Sequence, residues 1–180
     1  MKTISFLISF FIASYISSAD AQVIHEIYSS DTAFVTIVSK YHLPQYDLKD
    51  SLPDGKWILY DNPKNRCKQI EGEYLNGKRT GRFLYYDNCR NKEEQGILLD
   101  IPYKEGKVHG MVYTYMQINS IPSDSPYTVY SSAQYENDEK NGYTITLYEN
   151  GKVHEIILYK DDESVFYKEF DKKGTLVREW

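Results

Sequence analysis

One pattern recurs four times along this chain and limits its fold more than any other feature. It is a polar turn, a glycine, and then a short run of alternating aromatic and aliphatic residues. The fullest copy runs from Tyr74 to Asn88, Y-L-N-G-K-R-T-G-R-F-L-Y-Y-D-N. The others span Asp54 to Asn62, Glu105 to Tyr115 and Asn137 to Gly151. The glycines opening the corresponding strands, Gly55, Gly81, Gly110 and Gly142, lie 26, 29 and 32 residues apart. A drifting period of this size fits a degenerate repeat with loop insertions. Each copy offers a strand, a turn and a return strand. Composition agrees, with 18 tyrosines and little leucine or alanine, since tyrosine, valine, isoleucine and threonine suit half-buried strands. The expected fold class is all-β, an elongated single-layer antiparallel sheet of tandem β-hairpins.

Turn positions set an expected register. A turn over Asn76 to Thr80 places Tyr74 opposite Phe83 and Gly72 opposite Tyr85. Asn150-Gly151 reads as a two-residue type I′ hairpin, with Tyr148 near Val153 and Thr146 near Glu155. Asp171 to Gly174 closes a last hairpin, with Phe170 near Thr175 and Trp180 on the final strand. Both faces of these strands are partly apolar, which tyrosine reconciles if its ring covers the sheet while its hydroxyl stays wet. Met116 to Ser132, rich in Pro and Ser, reads as an insertion that protrudes as a loop or longer hairpin.

The N-terminus has a different character. Lys2 precedes an apolar run from Ile4 to Ile16, broken only by Ser5, Ser9 and Ser14, and Ala19-Asp20-Ala21 fits an A-x-A cleavage rule. The run is too short to span a bilayer. Residues 1–21 are therefore expected to be a signal peptide cleaved after Ala21, and the product secreted or periplasmic without membrane insertion. Residues 22–52 are expected to supply a first strand up to Tyr28, a further strand within Asp31 to Tyr41, and a connector that caps the open end of the array. Residues 53–180 form the repeat domain. Removing Lys2 and Asp20 together leaves the net charge at −5. That balance disfavours nucleic acid and anionic membrane as partners.

The repeats resemble the MORN-repeat variant family. A G-x-W/F-x-x-Y-Y-x-N-G type of pattern matches Gly55 to Tyr60, Gly81 to Asn88 and Gly142 to Gly151, and the preceding N-G-K-x-x-G matches Asn76 to Gly81. Glu105 to Gly110 matches it in part. Cys89-Arg90 departs from the pattern, and the insertion splits the third unit. The resemblance implies successive antiparallel hairpins with no shared catalytic residues, and exported bacterial proteins of this kind are described as antitoxin-like.

Candidate chemistry is sparse. Cys67 and Cys89 flank the Asn76 turn almost symmetrically, and export permits a disulfide between them. The four histidines show no paired spacing. His109 and His154 each follow Gly-Lys-Val at equivalent-looking turns. Glu71 and Glu73 share a strand face and read as solvated, and Asp161 to Glu163 reads as a hairpin turn. No phosphate loop, nucleophile elbow or metal-ligand spacing is present, so neither a metal nor a cofactor is expected. The expected function is non-enzymatic: a scaffold binding another protein through a tyrosine-rich surface that includes Trp57, Tyr60, Tyr86, Tyr115, Tyr148 and Trp180. A glycan-binding module is the alternative, and a carboxylate-dependent hydrolase a distant third. An exposed sheet edge also makes self-association an expectation.

Overall fold

The computed structural model describes residues 23–37, 46–64, 66–87, 95–117 and 127–180. Among them the protein is all-β, with no helix. The strands are β1 (Ile24–Tyr28), β2 (Val35–Ile37), β3 (Tyr46–Leu48), β4 (Gly55–Tyr60), β5 (Lys68–Leu75), β6 (Lys78–Tyr86) and β7 (Ile97–Lys104). They continue as β8 (Lys107–Val108), β9 (Gly110–Gln117), β10 (Tyr127–Glu136), β11 (Glu139–Leu147), β12 (Val153–Lys160), β13 (Glu163–Phe170) and β14 (Leu176–Glu179). One large sheet runs in the order β1, β4, β5, β6, β7, β9, β10, β11, β12, β13, β14, with β8 paired to β7. Every pairing in it is antiparallel except β1 with β4.

The hairpins β5–β6, β7–β8, β10–β11 and β12–β13 are closed by two-residue turns at Asn76-Gly77, Glu105-Gly106, Asn137-Asp138 and Asp161-Asp162. All eight residues have positive φ, the signature of type I′ turns, whose twist matches that of the strands. Four residues after the second turn position stand Gly81, Gly110 and Gly142, also at positive φ. In β5–β6 and β10–β11 this is where the register slips at a β-bulge. The turns also bond to one another. The amides of Gly106, Asp138 and Asp162 donate to the carbonyls of Arg79, Val108 and Lys140 in the preceding hairpin. Asp138 Oδ1 and Asp162 Oδ1 accept in return from Val108 N and Lys140 N, each at 2.7 Å.

These turns correct the expected register. Because the β5–β6 turn is two residues and not five, Tyr74 faces Arg79 and Tyr85 faces Ile70. Phe83 instead lies over Gly72, where an added Cβ would meet its ring at 2.5 Å. Asn150-Gly151 is not a type I′ turn. Gly151 N donates to Tyr148 O and Tyr148 N to Lys152 O, which makes a three-residue loop with Gly151 as the left-handed residue. Thr146 does face Glu155, while Val153 faces Leu147. Asp171 to Thr175 repeats that loop, so Phe170 pairs with Leu176 rather than Thr175. Trp180 extends the last ladder through two backbone bonds to Tyr167.

The core lies at the N-terminal end of the sheet. An aromatic file crosses four strands: Trp57 to Tyr74 at 6.4 Å, Tyr74 to Phe83 at 5.5 Å and Phe83 to Tyr103 at 5.0 Å between ring centres. The β1 strand extends the sheet edge beside β4, while β2 and β3 form a separate two-stranded sheet. Val35 and Leu48 of that small sheet join Trp57, Leu59, Ile70 and Phe83 in one buried cluster. The sheet is therefore two-layered there, contrary to the single-layer expectation. Among the described residues, Tyr167 is the only buried apolar residue beyond Tyr85.

Arg79 locks the small sheet down. Its buried guanidinium donates to Leu48 O at 2.5 Å and Asp47 Oδ2 at 3.2 Å, and to the hydroxyls of Tyr85 and Tyr103. Tyr85 in turn donates to Asp47 Oδ1 at 2.9 Å. Burial by itself would lower the guanidinium's proton affinity. Asp47, with the oxygens of Tyr74, Tyr85 and Tyr103, more than reverses this and holds it above its ordinary value.

Candidate functional site

Tyrosine is used here in a way that composition did not reveal. Three times, a tyrosine hydroxyl donates to a glutamate whose carboxylate also pairs with a cation lying over the tyrosine ring. Tyr60, Glu26 and Arg66 form one set, with Arg66 4.7 Å from the ring centre and 2.7 Å from Glu26. Tyr86, Glu71 and Lys68 form the second, with hydroxyl to carboxylate at 2.7 Å and ammonium to carboxylate at 2.9 Å. Tyr167, Glu169 and Arg178 form the third. Other hydroxyls are anchored on backbone, Tyr74 on Lys49 O and Tyr148 on Phe170 O, each at 2.8 Å. These hydroxyls therefore do not stay wet as expected. They tie strands together, which makes a thin sheet rigid without a thick core.

Glu71 is correspondingly not the solvated residue its spacing suggested. Its side chain is 13% exposed. Burial pushes its carboxyl up, but the hydrogen bonds from Lys68 and Tyr86 outweigh this and hold it below the usual range. Glu73, across the bulge, is exposed.

The predicted binding residues are scattered. Trp57 is 1% exposed and belongs to the interior, while Tyr60, 8% exposed, is largely buried and borders a rim cleft. Trp57 spends its indole N–H on Pro53 O and one ring face on His25, 4.3 Å away. Tyr86, Tyr115 and Tyr148 are half-buried. Trp180 is 61% exposed and stacks on Tyr167 at 5.6 Å. Cys67 is buried and is not a free thiol, while its expected partner, Cys89, lies outside the described residues, as do the proposed signal peptide and residues 118–126 of the insertion. His109 and His154 are not equivalent. His109 follows a two-residue turn, whereas His154 follows the three-residue loop at the opposite rim and packs on Tyr148. Among the described residues no cluster of three or more potential metal ligands occurs.

The C-terminal half of the sheet presents what the N-terminal half buries. Cross-strand register puts Tyr143, Leu158 and Phe166 in one row. Ile145 and Ile156 stand beside them on the same face, with Lys168 opposite Ile156. No second layer covers this face among the described residues. Tyr143 is 51% exposed, and Ile145, Ile156, Leu158 and Phe166 are half-buried. Glu155 and Glu169 face each other on the opposite side and share the hydroxyl of Tyr167.

Two clefts open along the rim of the longer connections. One, of about 390 Å³, is lined by Tyr60, Arg66, Lys68, Tyr86 and Gln95. The other, of about 400 Å³, lies between Met116, Tyr130, Tyr148, His154 and Lys172. The sequence reading missed this second cleft. Tyr130 and His154 are brought to it by strand irregularities that no residue pattern marks. No family model, curated protein or solved structure matches this chain.

Proposed function

We propose that this chain is an exported, non-enzymatic binding protein, an elongated array of tandem β-hairpins of MORN-repeat variant type. In this reading it holds another protein against the C-terminal half of its sheet. The observation that carries the proposal is the apolar strip of exposed Tyr143 with half-buried Leu158, Phe166, Ile145 and Ile156, over which no second layer lies among the described residues. A sheet face of this kind, rigidified by anchored tyrosines, suits a protein partner whose side chains fill the missing layer. The tandem reading is supported by the shared turn type, the glycine four residues on, and the bonds from each turn to the preceding hairpin. An antitoxin-like or envelope-assembly role fits an exported scaffold of this kind.

The test is capture from envelope and secreted fractions with the tagged, oxidised mature chain, residues 22–180. One stoichiometric protein is expected. Its capture is lost with Tyr143→Asp and retained with Leu75→Asp, which alters a residue 57% exposed at the other end of the sheet. Unchanged capture by a folded Tyr143→Asp chain would remove the strip from the reading. Retention on cell-wall material with no bound protein would remove the protein-scaffold reading itself.

A further inference from the structure

The two rim clefts differ in how their polar groups are used. In the first, the cations are matched within the protein, Arg66 by Glu26 and Lys68 by Glu71. In the second, the Tyr130 hydroxyl, the His154 ring nitrogens, the Glu149 carboxylate and the Lys172 ammonium have no hydrogen-bond or ion-pair partner among the described residues.

The backbone brings two of these side chains there by the same device. The β9–β10 register slips between Val129 and Ser131, so Tyr130 is left unpaired. The β11–β12 register slips between Thr146 and Leu147, which face Glu155 and Val153, so His154 is left unpaired. A bulge re-aims a side chain and recurs beside functional sites. Here two bulges on separate hairpins deliver a phenol and an imidazole to one concavity. Its other ring, Tyr148, is held by its bond to Phe170 O and packs 4.4 Å from His154. Met116 contributes apolar surface.

Chemistry narrows the occupant. Aromatic rings with apolar lining suit a ligand that has a flat C–H face. Unused donors and acceptors together suit a ligand rich in hydroxyls. Glu149 and Lys172 bring opposite charges to the lining, so it carries no net charge to favour a charged ligand. A volume of about 400 Å³ falls within the range of small-ligand clefts, roughly 300–1,000 Å³. We infer that this cleft binds a neutral saccharide, with Tyr130 and Tyr148 against the sugar ring and His154, Glu149 and Lys172 on its hydroxyls. This site is independent of the apolar strip and does not rest on the protein-scaffold reading.

The experiment is an NMR titration of the full mature chain with chitotriose, cellotriose and maltotriose, followed on the Met116 methyl and His154 ring signals. Trigalacturonic acid serves as the charged comparison. At least one neutral trisaccharide is expected to shift both signals. Tyr130→Ala should weaken that binding at least tenfold and Lys172→Met severalfold, while Arg66→Gln in the other cleft leaves it unchanged. Lys172 sits on an exposed turn, so its variant tests the site even if Tyr130→Ala fails to fold. No response to any neutral trisaccharide, a stronger response to the acidic one, or binding of unchanged strength in Lys172→Met would overturn the assignment.

Discussion

Replacing Arg79 with methionine keeps the packed stem and removes the charge. Leu48 O and Asp47 Oδ2 lose their donor, as do the hydroxyls of Tyr85 and Tyr103. Asp47 Oδ1 keeps two donors, the Tyr85 hydroxyl at 2.9 Å and Leu48 N at 2.8 Å. Breaking a buried pair by removing one member costs roughly 3–5 kcal/mol. The Asp47 side chain is 26% exposed, so water partly restores its solvation and the cost falls at the lower end, about 3 kcal/mol. Asp50 also approaches Arg79, at 3.1 Å, but is 87% exposed and adds little in high dielectric. For a chain of this length each kcal/mol moves the melting temperature by roughly 2–4 °C, so Arg79→Met is expected to melt about 6–12 °C lower. Asp50→Asn should change stability by less than about 0.5 kcal/mol. Hydrogen exchange locates the damage. The amides of β2 and β3, and Lys49 N, which bonds Phe34 O at 2.9 Å, should lose protection, while β11 and β12 keep theirs. Equal costs for Arg79→Met and Asp50→Asn, or even loss of protection across the sheet, would refute the latch.

Four other outcomes are expected. Gly72→Ala places a methyl 2.5 Å from the fully buried Phe83 ring and should cost about 1–3 kcal/mol; adding Phe83→Leu should recover part of it, and strict additivity would contradict the contact. The phenols of Tyr74, Tyr85, Tyr86 and Tyr103 are held above their ordinary value of 10.0, first by burial. Their contribution is full below about pH 10 and lost as pH rises toward the folded values, so ultraviolet titration should show a late group ionising only with unfolding, and a single step with circular dichroism intact would count against it. Glu71 is held below its reference 4.5, so its contribution is full above about pH 4.5 and lost as pH falls; the stability gap between the wild-type chain and Glu71→Gln should therefore narrow on acidification, and a constant gap would deny the ion pair. A Cys67–Cys89 disulfide should make reduction cost about 3 kcal/mol in the chain-entropy model, with Cys67→Ala matching it, and intact mass after alkylation reads the pairing directly.

Much of the β architecture was legible because its signals are local. Asn76-Gly77 and Asp161-Asp162 are turns that the chain announces by composition, whereas Trp57, expected on the binding surface, is buried. What failed was arithmetic across bulges. Paired positions keep a constant sum only while both strands advance together. The two-residue turn already sets Tyr74 opposite Arg79, and at Gly72 the slip changes the sum again, so that Tyr85 faces Ile70. The same slips placed Tyr130 and His154 at a cleft that spacing alone could not locate. Arg79 was overlooked because a cation just after a turn reads as solvated, although it lies opposite buried Tyr74. The parallel pairing of β1 with β4 is non-local, and nothing in Ile24–Tyr28 distinguishes it from a hairpin strand.

The two ends of the strands differ in how they tolerate changes of chain length. At one end every hairpin closes through two residues, and each turn is bonded to its neighbour. A single inserted residue there would shift a strand by one and exchange its two faces, moving residues such as Phe83 from the interior to solvent. At the other end, longer connections separate the register of one hairpin from the next. Natural insertions and deletions should therefore collect at that end, and grafted peptides or labels should be accepted there without disturbing the strands they join.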